Sequence, residues 1–419
     1  MGRNNPLLRI PTPRVISFLA TALAIMWVFA GTDEVLRAQS KPTPQAAGAV
    51  ELKRDKQSSS SSANPLGDHY LMIVNTSIAS MMSSQKMAEF DKSAYDGLAV
   101  AFWHAYETGP AISSSTMISQ IAEWKKSTKK DIWPWVYINR MIGPDESQSY
   151  PLIHQPYFNR FKGADLDGQA GAQADFLENW KNSLAAAKKS GGPGVVCDLE
   201  FYNYYKEYDP GELARQTGKT PEQVATLLRG VGAKMADIAA TEYPRAVLWF
   251  LFTGFTHPGY KTYNGQPYYP SPTYIAMGLL DEIRERHLEL KVVAGGEGSL
   301  AYCHHTLQDF QTAIQKRGLD FASPLQKYQG NLELGGTIAM WSDRSAKTGW
   351  ALEGECATAT ASTAEDFQPY LELLFRSYRY NWIWVSSDSG YNAFEPTSAQ
   401  RFNAVIGKAK TTSPKIQVQ

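Results

Sequence analysis

Beyond about residue 69 the chain alternates short apolar runs with longer amphipathic stretches, and this alternation constrains the fold more than any other feature. The runs are YLMIVNT (70–76), GLAVAFW (97–103), IWPWVYIN (132–139), GVVCDLE (194–200), AVLWFLFTG (246–254), KVVAGGE (291–297), TIAMWSD (337–343) and WIWVSSD (382–388). Each is brief and rich in β-branched or aromatic residues, the signature of a strand buried on both faces. The intervening stretches, such as GAQADFLENWKNSLAAAKKS and PEQVATLLRGVGAKMADIAATEYP, space their apolar residues as helices do. Strands alternating with helices imply parallel βαβ units. Eight of them over roughly 340 residues fit a (β/α)8 TIM barrel with enlarged βα loops better than an open doubly wound sheet. No GxGxxG or GxxxxGK[ST] loop follows any run, which argues against a nucleotide-binding fold.

The first part of the chain has a different texture. Arg3, Arg9 and Arg14 come without an acidic residue and precede the apolar stretch VISFLATALAIMWVFAG, residues 15–31. A positive segment followed by an apolar one reads as an export signal. Residues 1–38 are therefore expected to be a signal peptide or an N-terminal membrane anchor, with a membrane tether through residues 15–31 in the second case. Either way the rest of the chain is expected to be exported: periplasmic, extracellular or anchored with the barrel outside the cytoplasm. Residues 39–66 are rich in Ser and Pro, lack an apolar period and read as a disordered linker. The barrel is assigned to residues 67–412 and a tail to 413–419.

Charge and cysteine usage remove several classes of function. Lys+Arg and Asp+Glu are each 41, so the basic surplus that nucleic-acid binding needs is missing. Three cysteines make no dense disulfide framework, and no CxxC or zinc spacing occurs. His304 and His305 are adjacent, and neighbours in sequence rarely point at one ion. No metal and no cofactor are expected.

Barrels carry their chemistry at the carboxyl ends of the strands. The fourth run ends in Asp198-Leu199-Glu200, where alternation puts both acids on one face and turns Cys197 away. The sixth ends at Glu297 between glycines. Asp198, Glu200 and Glu297 are the candidate catalytic residues. The other run ends supply candidate substrate contacts: Trp103, His104, Tyr137, Asn139, Tyr202, His257, Tyr302, Trp341, Asp343, Trp384 and Asp388. Each has a plainer reading. Asp343 precedes Arg344 and suits a local ion pair; Asp388 suits a turn; Trp341 and Trp384 suit layer filling in the lumen. Paired carboxylates among aromatic platforms are what glycosidic cleavage needs. One acid protonates the leaving oxygen, and the other attacks the anomeric carbon or activates water.

The DLE-aromatic fourth run, GGEGSLAY, MWSD and WIWVSSD together resemble the TIM-barrel glycoside hydrolase superfamily over about residues 69–412. Resemblance to its alpha-galactosidase and alpha-glucosidase clan implies a nucleophile at Asp198 or Glu200 and an acid/base at Glu297. Asp198-Leu199-Glu200 is also similar to the tail of the chitinase-like DxxDxDxE pattern, whose upstream positions here are Gly194, Val195 and Val196. The large retaining clan would place its nucleophile at Asp343. The expected function is thus an exported glycoside hydrolase-like enzyme acting on an oligosaccharide or polysaccharide. A non-catalytic carbohydrate-binding barrel is the alternative. A metal-assisted hydrolase using Asp198, Glu200, His257 or His305 ranks last, for want of His-x-His or HExxH.

Overall fold

The computed structural model describes residues 69–78, 82–102, 111–138, 171–199, 210–253, 262–263, 266–300, 304, 306–339, 364–385 and 396–413. The N-terminal apolar stretch, the Ser/Pro-rich segment and residues 414–419 lie outside them.

Eight strands close a barrel: β1 (Tyr70–Ile78), β2 (Gly97–Ala101), β3 (Asp131–Tyr137), β4 (Gly194–Asp198), β5 (Val247–Phe250), β8 (Lys291–Ala294), β9 (Leu332–Ala339) and β10 (Tyr380–Val385). They pair in chain order, β10 returns to β1, and every pairing is parallel. A small antiparallel hairpin, β6 (Thr262–Tyr263) and β7 (Gln266–Pro267), lies in the chain between β5 and β8. The helices are α1 (Ser84–Asp91), α2 (Ser114–Lys125), α3 (Gly171–Lys189), α4 (Pro210–Thr217), α5 (Pro221–Glu242), α6 (Ser271–Glu285), α7 (Glu297–Leu300), α8 (Leu307–Asp320), α9 (Ala322–Lys327), α10 (Ala364–Ser377) and α11 (Pro396–Thr412). The fold is a (β/α)8 TIM barrel.

Each apolar run falls on one barrel strand. The seventh, β9, begins at Leu332, ahead of the run at 337–343, because its opening residues LELGG include Glu333 and two glycines. Glu333 stays polar because it accepts a hydrogen bond from Lys291 Nζ at 2.9 Å. Two helices start where the sequence writes a capping box. Thr220 and Gln223 satisfy each other's backbone N–H groups at the head of α5, and Thr306 and Asp309 do so at α8. Helices α5 and α6 touch at bare backbone: a Cβ on Gly232 would overlap the Ile275 carbonyl, and one on Gly278 the Arg229 carbonyl.

Alternation sorts the strand residues into two cores. Val195, Cys197 and Leu199 face outward into the helix layer, while Val196 faces the lumen with Met72, Ala99, Val293 and Trp382. Large aromatics fill the lumen. The rings of Tyr70, Trp133 and Trp249 meet pairwise at 6.0, 6.1 and 5.6 Å. They come from the first, third and fifth strands, as expected when alternate strands supply a layer. Towards the amino ends of the strands, Trp133 Nε1–H donates to Tyr70 Oη at 2.7 Å and Tyr70 donates to Asp131 at 2.9 Å. Aromatic side chains thus plug the lumen.

Candidate active site at the carboxyl ends of the strands

Asp198 closes β4 with the parity of Val196, so it faces the lumen, and it is 0% exposed. Its register partner is Tyr137, the last residue of β3. The Tyr137 ring is half-buried and stacks on Trp135 one turn of the pleat below, with centroids 4.6 Å apart and planes at 29°. Cys197 points the other way, into the helix layer. Burial pushes its thiol well up, and the neighbouring Asp198 charge adds to the effect, which disfavours the thiolate.

The ends of β4, β5 and β8 are laced together by backbone bonds. Leu251 N–H donates to Cys197 O at 3.0 Å, Gly295 N–H to Phe250 O at 2.6 Å, and Glu297 N–H to Leu251 O at 3.1 Å. Glu297 is the first residue of the single turn α7, and its side chain is half-buried. Gly296, just before it, has φ +96°, a conformation open to glycine and strained for other residues. Its carbonyl accepts from the N–H groups of Ser299 and Leu300, which closes the turn. Asp198 and the end of β8 stand two strands apart on the barrel wall. At the usual spacing between strands this sets their backbones about 10 Å apart.

Two further residues shape this corner. The Trp382 indole, fully buried in the lumen, donates to Gly295 O at 2.9 Å. Arg317 of α8, 1% exposed, donates to Ala294 O at 2.5 Å and also to Gly335 O, joining the ends of β8 and β9.

The structure therefore brings Asp198, Tyr137 and Glu297 to one end of the barrel. Trp384 lies on β10 in register with Val74 and Ala339. Glu200, Trp103, His104, Asn139, Tyr202, His257, Tyr302, Trp341, Asp343 and Asp388 lie outside the described residues. Sequence reasoning missed Trp135, the underlay of Tyr137, although its place two residues earlier in the same strand was a usable signal. It also missed Arg317, for which the sequence offers no signal: near the end of an amphipathic helix it reads as a solvated charge. Among the described residues no group of His, Cys, Asp and Glu is arranged to hold a metal. His304 is buried against Phe310, ring centroids 4.6 Å apart.

No family model matches the sequence. No curated protein matches it either. Solved structures are similar to it only at a distance. A glycoside hydrolase family 5 enzyme from Prevotella bryantii B14 is 9% identical, with 82% of this chain and 96% of that chain covered and a TM-score of 0.46. A GH18 chitinase from the chitin utilization locus of Flavobacterium johnsoniae is 9% identical over 82% of this chain and 94% of that chain, TM-score 0.40. A 3-keto-D-glucoside 4-epimerase from E. coli is 12% identical over 81% of this chain and 98% of that chain, TM-score 0.39. Likenesses this distant carry no argument about chemistry, and the barrel stands on its own strand register.

Proposed function

We propose that the barrel is an exported, glycoside hydrolase-like enzyme that cleaves a glycosidic bond in an oligosaccharide or polysaccharide. The observation that supports this reading is Asp198, buried at the top of the lumen beside the Tyr137–Trp135 stack, with Glu297 two strands further round the same rim. Glu297 acts as general acid/base, protonating the leaving oxygen. Asp198 or Glu200 is the nucleophile or stabilises the oxocarbenium-like transition state. The face of Tyr137, backed by the buried Trp135, offers an apolar platform for the C–H face of a sugar ring.

The test is turnover of a glycan panel by the purified chain against Asp198→Asn, Glu200→Gln and Glu297→Gln. Loss of turnover in Glu297→Gln and in at least one of the other two, with sugar affinity kept, supports the assignment. Equal turnover in all four proteins removes it. Sugar affinity without turnover in the wild type would make the molecule a binding barrel.

A further inference from the structure

We propose that Arg317 is a positioning residue for Glu297, an inference that rests on the catalytic reading above. Arg317 sits on α8, twenty residues beyond Glu297 in the chain, yet its guanidinium lies directly under the turn that carries it. A Cβ placed on Gly296 would lie 2.9 Å from Arg317 Cζ, 3.0 Å from Nη1 and 3.1 Å from Nη2. Three nearly equal distances mean that the flat face of the guanidinium, not its edge, is pressed against Gly296. Its edge donors meanwhile hold Ala294 O, two residues before Gly296, and Gly335 O on the neighbouring strand. The same group packs on the rings of Tyr378 and Phe321, with Cζ 5.1 and 5.3 Å from their centroids.

A buried cation is an expensive way to join two strands, because an apolar residue would fill the space without desolvating a charge. What the guanidinium supplies, and a methionine would not, is a planar fork that grips two carbonyls while presenting a flat shelf. Gly296 meets that shelf with a backbone that rises at φ +96° and delivers Glu297 to the rim. Arginine, glycine and the turn thus form one unit whose output is the place of a carboxyl group. Displacement of a reacting group by about 1 Å costs on the order of a hundredfold in rate.

The experiment compares the full chain with Arg317→Met, Arg317→Lys, Gly296→Ala, Glu297→Gln and the Arg317→Met/Glu297→Gln pair. Amide hydrogen exchange is followed at residues 294–300, and kcat and KM are measured on the glycan that the panel identifies. Arg317→Met and Gly296→Ala are expected to speed exchange of the Gly295 and Glu297 amides about tenfold or more while β4 and β5 stay protected. Turnover should fall about a hundredfold with KM nearly unchanged, Arg317→Lys should recover only part of it, and the pair should be no slower than Glu297→Gln alone. Unchanged exchange at 295–297, or losses that multiply in the pair, would overturn the proposal. If Arg317→Met does not fold, Gly296→Ala carries the test with the arginine in place. If the wild type turns over no glycan, the catalytic reading falls, and the exchange measurement alone decides whether Arg317 holds the turn.

Discussion

Tyr137 and Asp198 are register partners across β3 and β4, the last pair before either strand leaves the barrel wall. Both face the lumen, so an aromatic face and a carboxylate stand side by side at the rim. If the ring is a sugar platform, its area matters and its hydroxyl does not. Tyr137→Phe should bind glycan as the wild type does, whereas Tyr137→Ala should weaken binding about fivefold, in line with aromatic contacts of about 1 kcal/mol. Affinity measured by calorimetry on all three proteins decides it; equal affinities would place the substrate elsewhere.

Asp198→Asn separates chemistry from folding. The substitution keeps shape and replaces a carboxylate by an amide, so turnover should drop about a hundredfold or more while the variant still unfolds cooperatively in urea. Urea titration beside a turnover assay gives both numbers. A clear loss of stability would show Asp198 to be a structural partner of the rim.

Asp131, at the other end of the barrel, is expected to make stability depend on pH. Burial raises its pKa above the usual carboxylate range; the Tyr70 hydroxyl and Lys125 pull it down, and Asp96 pushes it up. Between about pH 4, where an unfolded Asp titrates, and the higher folded value, the native state holds the extra proton. Its contribution is therefore complete below the unfolded pKa and is lost as pH rises through the folded one. Asp131→Asn can still accept the Tyr70 hydrogen bond and lacks this titration. Urea midpoints at pH 4 and pH 7 should differ less in the variant than in the wild type, and an equal difference would refute the assignment.

Lumen and surface should respond very differently to truncation. Trp249 is fully buried and touches Tyr70, Trp133 and Tyr380 through ring contacts of 6.1, 5.6 and 5.7 Å. Trp249→Ala should cost about 3–5 kcal/mol. Leu319, on the outside of α8, is 79% exposed, and Leu319→Ser should stay within about 0.5 kcal/mol. Thermal melts of both variants test the contrast.

What could be read from the chain follows from the range of the forces involved. Strand periodicity is local, so all eight barrel strands were legible, and so was the outward turn of Cys197 beside Asp198. The opening of β9 was not, because LELGG hides its strand character behind an acid and two glycines. Nor was α7, a single turn that reads as a glycine-rich loop.

By itself, then, the sequence determined the order and direction of the barrel and that Asp198 ends its fourth strand, because hydrophobic alternation needs only neighbours along the chain. Tertiary structure alone decided that Asp198 falls in register with Tyr137 of the Tyr137–Trp135 stack and that a charge on α8 ends up beneath Gly296. Those relations arise from barrel closure, where strand stagger and tilt bring distant residues into contact and no local pattern records the outcome.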